Sequence, residues 1–201
     1  GWQGLPQGQM SIHSERVSLI YEVADKSRPI VFEKLNLSTQ FLNNDWTFKG
    51  TGNLKDNGTF LLETHVKDPL RERQLNGRLK VDAINMNWLE SFSTLEEKVE
   101  GALKADLSFA GTLNQPRLLG WVHLDHFRID SVNFPFEMKP SRLAMEFSGD
   151  RSVLEGKLLT QNGDLFLKGD AHWSAIEDIE AKLNVTCLLY TSPSPRDISG
   201  S

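Results

Sequence analysis

The side chains of this 201-residue chain that could do chemistry are five histidines, a few adjacent carboxylates and one thiol. His123 and His126 are the closest histidine pair, and imidazoles at short spacing suggest a metal ligand set. Residues three apart on a strand face opposite ways, so these two can grip one ion only if a bulge lies between them. Solvent-facing imidazole is the ordinary state, and no metal is expected. Glu96 and Glu97 resemble an acid–base pair, yet neighbours on a helix diverge, and glycosidase carboxylates come from separate strands across a cleft. A solvated charged face is the expected reading. G-x-S-x-G, phosphate-loop and H-E-x-x-H motifs are all absent. With Cys187 the only cysteine, disulfides and Cys-based metal sites are excluded. The expectation is a non-enzymatic chain with no catalytic residue and no cofactor.

Composition agrees with a binding or structural role. Hydrophobic residues make up 39% of the chain, and many stand singly between polar ones. The formal charge of −5 is spread along the chain with no Lys/Arg block, which argues against nucleic acid as a partner. No apolar run is long enough for a membrane-spanning helix, and a chain starting at Gly1 rather than Met reads as an internal piece of a longer protein. From Cys187 to Asp197 the sequence CLLYTSPSPRD departs from the pattern before it, and its reverse translation resembles a transposase-end sequencing adapter. Residues 187–201 are therefore set aside as an artefactual, disordered tail.

What must position any site here is strand. Val17, Leu19, Tyr21 and Val23 share one parity; after a break at Arg28-Pro29 the rhythm resumes with Leu35, Leu37 and Phe41. Trp46 and Phe48 lead into Gly50 and Gly52, and Asp56-Asn57-Gly58 is a hairpin signal before Phe60, Leu62 and Val66. Leu75, Leu79, Val81 and Ala83 follow. The cleanest strand carries Leu103, Ala105, Leu107, Phe109 and Leu113, with Lys104, Asp106, Ser108 and Thr112 between them. Further apolar pairs continue the rhythm: Val122 with Leu124, Phe127 with Ile129, Leu143 with Met145 and Phe147, Leu154 with Leu158, Leu165 with Leu167, and Ile179 with Leu183 and Val185. Turns at Asn114-Gln115-Pro116 and Gln161-Asn162-Gly163 complete about a dozen short strands in an antiparallel meander. The parity switch between Leu124 and Phe127 predicts a bulge at Asp125-His126. In-strand glycines, Gly77, Gly111, Gly120, Gly156 and Gly169, suit a sheet that must curve. Residues 87–98 lack the period of two, and Ser93 with Glu96 has capping-box spacing, so a short helix with Trp88, Leu89 and Phe92 as a plug is expected there.

The run Gly111-Thr112-Leu113-Asn114-Gln115-Pro116-Arg117-Leu118-Leu119-Gly120, continuing to Pro135 and then Pro140-Ser141-Arg142-Leu143, resembles the G-x-L-x-x-P-x-L-x-G signature of the TamB family. Leu154-Glu155-Gly156, Leu167-Lys168-Gly169 through Trp173, and Asn87-Trp88-Leu89 are similar to that family too. The likeness is strongest from Leu75 to Trp173 and weaker before it. TamB proteins are inner-membrane-anchored subunits of the translocation and assembly module, related to AsmA-like and bridge-type lipid transfer proteins. The resemblance implies an all-β fold: a curved, mostly antiparallel sheet forming a β-taco with an apolar groove. It also implies a periplasmic location with the inner-membrane anchor outside this piece, an Omp85-type outer-membrane barrel as partner, and a role in phospholipid movement or outer-membrane protein assembly.

A lipid crossing water meets a barrier of about 0.8 kcal/mol per methylene, or roughly 11 kcal/mol for fourteen carbons. A groove lined by Leu103, Leu107, Phe109, Val122, Leu124, Leu143, Met145, Phe147, Leu165 and Leu167 would remove most of that barrier. A dozen strands would make it roughly 55 Å long. The expected organisation is a groove segment over 1–86, the helical connection over 87–98, a second groove segment over 99–186 and the tail. The leading expectation is a conduit for phospholipid. Its rivals are a chaperone-like groove for outer-membrane protein or autotransporter segments, received by β-augmentation, and a closed β-sandwich binding module, which the apolar stripe alone does not exclude. A transmembrane barrel fits less well, since the aromatics form no paired girdles.

Overall fold

The computed structural model describes residues 7–23, 26–54, 58–87, 98–131 and 137–190. Eleven strands run in chain order through one antiparallel sheet: β1 (Gly8–Val23), β2 (Lys26–Leu42), β3 (Asp45–Leu54), β4 (Thr59–Lys67), β5 (Gln74–Asn85), β6 (Lys98–Gly111), β7 (Pro116–Asp130), β8 (Met138–Gly149), β9 (Arg151–Thr160), β10 (Gly163–Ala175) and β11 (Asp178–Leu189). Each strand pairs only with its sequence neighbours, so the sheet is a pure meander, curved and open. No second sheet covers either face among the described residues, which removes the closed sandwich from the candidate folds. Ten intervals of about 4.8 Å give a sheet about 48 Å across its strands. The chain exposes 13981 Å², where a closed globule of its mass would leave about 9,500 Å².

The strands are longer than the alternation suggests, and bulges are the reason. Val122/Leu124 and Phe127/Ile129 read as separate strands, yet both lie on β7, whose register against β8 shifts between Leu124 and Phe127, with His126 at φ 54°. That is the bulge expected at Asp125-His126. The same β7 bulge shifts the register against β6 between Glu100 and Ala102, and it has neighbours at Val81/Ile84 on β5, with Ala83 at φ 50°, and at Lys139/Arg142 on β8. Bulges at adjoining positions on β5, β7 and β8 make a crease, because each one bends its strand and adds twist. The freed ladder group at the β8 bulge is satisfied locally. Leu159 N donates to Ser141 Oγ at 2.9 Å, and Ser141 Oγ donates to Lys139 O at 2.7 Å.

Several expectations need amendment. Arg28-Pro29 is not a break: both residues lie inside β2, with Pro29 opposite Ile20, and the β1–β2 connection falls at 24–25. Pro is tolerated there because β2 pairs only with β1 before Phe32, so this stretch has one free ladder side. β11 continues through Cys187, Leu188 and Leu189, opposite Leu165, Asp164 and Gly163, three residues into the stretch set aside as a tail. The expected helix over 88–98, with its plug of Trp88, Leu89 and Phe92, lies outside the described residues except for Lys98, which opens β6. At the Asp56-Asn57-Gly58 hairpin, Gly58 is at φ 84° and Leu54 N donates to Gly58 O at 3.1 Å; Asp56 and Asn57 lie outside the described residues.

Candidate functional site: the apolar face of the sheet

Register turns the alternation of single strands into continuous rows across the sheet. One row runs Ile12, Leu37, Gly50, Leu62, Leu79, Leu107, Gly120, Phe147, Ser152, Ala171, Ala181, one residue from each of the eleven strands. Beside it runs Phe60, Val81, Ala105, Val122, Met145, Leu154, Gly169, Leu183. A third is Leu103, Leu124, Leu143, Gly156, Leu167, Val185. All ten groove residues expected from the sequence therefore share one face, since Phe109 is two positions from Leu107 and Leu165 two from Leu167.

The glycines of these rows stand opposite bulky residues. Gly77 faces Phe109, and a Cβ on it would lie 2.5 Å from the Phe109 ring. Gly120, at φ 126°, sits between Leu107 and Phe147, and a Cβ there would be 1.9 Å from Asp106 O. On the inside of a curved sheet side chains converge, and only a missing side chain lets the ribbon close that tightly. Glycine in these strands is thus a condition of the curvature.

The face is filled in one part and open in another. Under β4 to β7, Val81, Ile84 and Ala105 are buried, with Leu54, Phe60, Leu79, Leu103 and Val122 packed on them. Of the ten residues only Leu107 is buried; the others are half-buried. Between β8 and β11 the face opens into a depression of about 220 Å³, lined chiefly by Met145, Ser152, Leu154, Gly169, Ala171 and Leu183.

The opposite face is charged and pairs its charges along the same register. Lys49 Nζ lies 2.6 Å from Glu63 Oε1, and on the next two strands Arg78 donates to both carboxylate oxygens of Asp106, at 3.1 and 2.9 Å. Arg142 and Lys104 both reach Asp125 at the crease. His123 stacks on Trp121 with centroids 4.4 Å apart. Although the bulge that could have allied His123 with His126 does form, no three metal-binding side chains come together among the described residues. Opposite charges directly across a ladder disfavour a one-residue slip, which would turn the apolar rows to the wrong side.

The hydrogen bonds from Arg78 hold the Asp106 carboxyl below its ordinary value, and those from Lys157 and then Tyr190 do the same for Asp164. A carboxylate depressed in the folded state contributes stability fully above its unfolded value of about 3.9 and loses it as pH falls through the lower folded value. Asp106→Asn should therefore be less stable than wild type near pH 7, with the gap closing as pH falls below the unfolded value of about 3.9. Urea melts across that range check it; a gap independent of pH would contradict it.

A family model described as TamB, N-terminal domain, matches residues 1–124. The chain belongs to the TamB family. It is 31% identical over 151 residues to the translocation and assembly module subunit TamB of Haemophilus influenzae, a match covering 75% of this chain and 12% of that relative. No solved structure matches the chain. The family match includes the first 74 residues, where the sequence shows only generic strand rhythm, so the TamB character begins earlier than the motifs between Leu75 and Trp173 suggest. The alternation places the ten residues on one face but passes over Ser152, a polar residue at an apolar parity, whose place becomes visible only once Phe147, Ser152 and Ala171 are aligned.

Proposed function

We propose that this chain is one stretch of a periplasmic bridge that conducts phospholipid between the inner and outer membranes in support of outer-membrane biogenesis, without catalysis. The observation that carries the reading is the set of apolar rows, one of them crossing all eleven strands, on a face that no second sheet covers among the described residues. A hydrocarbon chain moving from a bilayer onto such a face exchanges one apolar surface for another, so most of the roughly 11 kcal/mol aqueous barrier is avoided without tight binding. The charged opposite face remains in water and keeps the ribbon soluble. The family adds the rest of the proposal: an inner-membrane anchor elsewhere in the protein and an Omp85-type barrel at the outer membrane.

Photo-crosslinkers placed by parity test it. Phe109 and Leu143 should capture phospholipid, while Ser108 and Glu146 on the other face should not; equal capture on both faces contradicts the conduit. A second reading rests on the outer strands β1 and β11, which are not joined to one another among the described residues. An unfolded outer-membrane polypeptide could add a strand at such an edge, and peptide instead of lipid in the adducts would favour it.

A further inference from the structure

Four polar side chains are buried among the described residues, Ser141, Ser152, Thr160 and Asp164, and three of them are satisfied within the sheet. Ser141 bridges the β8 bulge. Thr160 Oγ1 donates to Gly163 O at 2.6 Å and accepts from Gly163 N at 3.1 Å, closing the β9–β10 turn. Asp164 accepts from Lys157 Nζ at 2.9 Å. Ser152 differs: the residue is 8% exposed, and its hydroxyl has no hydrogen-bond partner among the described residues.

Ser152 lines the depression between β8 and β11 together with Met145, Leu154, Gly169, Ala171 and Leu183, at the parity of the groove face. A buried donor left unpaired in an apolar setting is costly and calls for an explanation. One ordered water is a poor one, because a buried water needs two to four polar partners and the groove-facing wall offers a single hydroxyl. The space is also about seven times the share of one water in the liquid. The floor is low because Gly169 and Ala171 carry almost no side chain where Leu154 and Leu183 rise on the flanking strands. Asp170 and Lys182, which pair between these residues, turn their side chains to the opposite face by parity, so no charged side chain of the groove face draws a phosphate. What fits is a mostly hydrocarbon ligand with one neutral acceptor at the end of its chain.

We propose that this depression seats the ester end of an acyl chain, with Ser152 Oγ donating to the ester carbonyl oxygen and the hydrocarbon lying along the row of Leu154 and Met145. The assignment rests on the lipid-conducting reading of the groove and adds to it a fixed station with chemical preference. It also makes Ser152 a reader of the acyl linkage, distinct from any recognition of the head group.

Delipidated protein incubated with vesicles of palmitoyl-oleoyl phosphatidylglycerol, or of its diether analogue without carbonyls, tests this by mass spectrometry of the lipid retained. Wild type should retain the diacyl lipid about threefold to tenfold better than the diether, the range one net hydrogen bond gives. Ser152→Ala should erase the preference by lowering diacyl retention alone, and Ser152→Leu should fill the depression and lower both. Lipid retained without preference, or a preference that survives Ser152→Ala, overturns the ester seat and leaves the conduit standing. Retention of neither lipid by wild type overturns the conduit and the seat together. The lipid-free Ser152→Ala variant should melt no lower than wild type, since it deletes an unpaired hydroxyl; a lower melting temperature would reveal a protein partner for Ser152 and overturn the assignment.

Discussion

Gly120→Val will unfold the middle of the sheet at denaturant concentrations the wild type survives. Gly120 holds φ 126°, a region side-chain-bearing residues rarely adopt, and its Cβ would lie 1.9 Å from Asp106 O, a backbone atom of the neighbouring strand that cannot swing aside. Backbone strain together with the displaced strand should cost about 3 kcal/mol or more. With a urea slope of about 2 kcal/mol/M, the midpoint should fall by about 1.5 M. Gly8→Ala is the control, since a Cβ there meets nothing within 4 Å, and it should leave the midpoint in place. A small effect at Gly120 would mean that the sheet is not curved as described.

The second large effect concerns ligand rather than fold. Leu167 is half-buried on the groove face, between Gly156 and Val185. In the empty protein an arginine there can extend into water. With lipid bound, its charge would have to be covered by hydrocarbon, which costs several kcal/mol. Leu167→Arg should therefore lower retained lipid by more than tenfold while the melting temperature changes little. Lys168→Ala, one residue away on the charged face, should retain lipid as wild type does. Mass spectrometry of lipid bound per protein compares them, and equal losses in the two variants would show that parity does not matter.

Much of this architecture is legible in the sequence because a period of two is a direct consequence of the pleat. The ten groove residues share a face for that reason, and the bulge at His126 announces itself as a parity switch between Leu124 and Phe127. Strand length is harder to read. A bulge restarts the pattern without ending the strand, so β7 resembles two short strands. Pro29 looks like a terminator, but proline is compatible with a stretch paired on one side only, and β2 runs through it before β3 joins at Phe32. Cys187-Leu188-Leu189 breaks the composition yet keeps the alternation well enough to pair with β10. The meaning of Gly77, Gly120 and Ser152 depends on what stands across from them, and cross-strand register is information that no single strand carries.

The central claim is that the apolar rows form an accessible surface for hydrocarbon. Native mass spectrometry of the protein isolated in mild detergent, compared with Leu167→Arg, tests it most directly. The account predicts phospholipid bound to wild type in near-stoichiometric amount and depleted in the variant. A wild-type protein that emerges free of lipid, or a variant that carries as much as wild type, would contradict it.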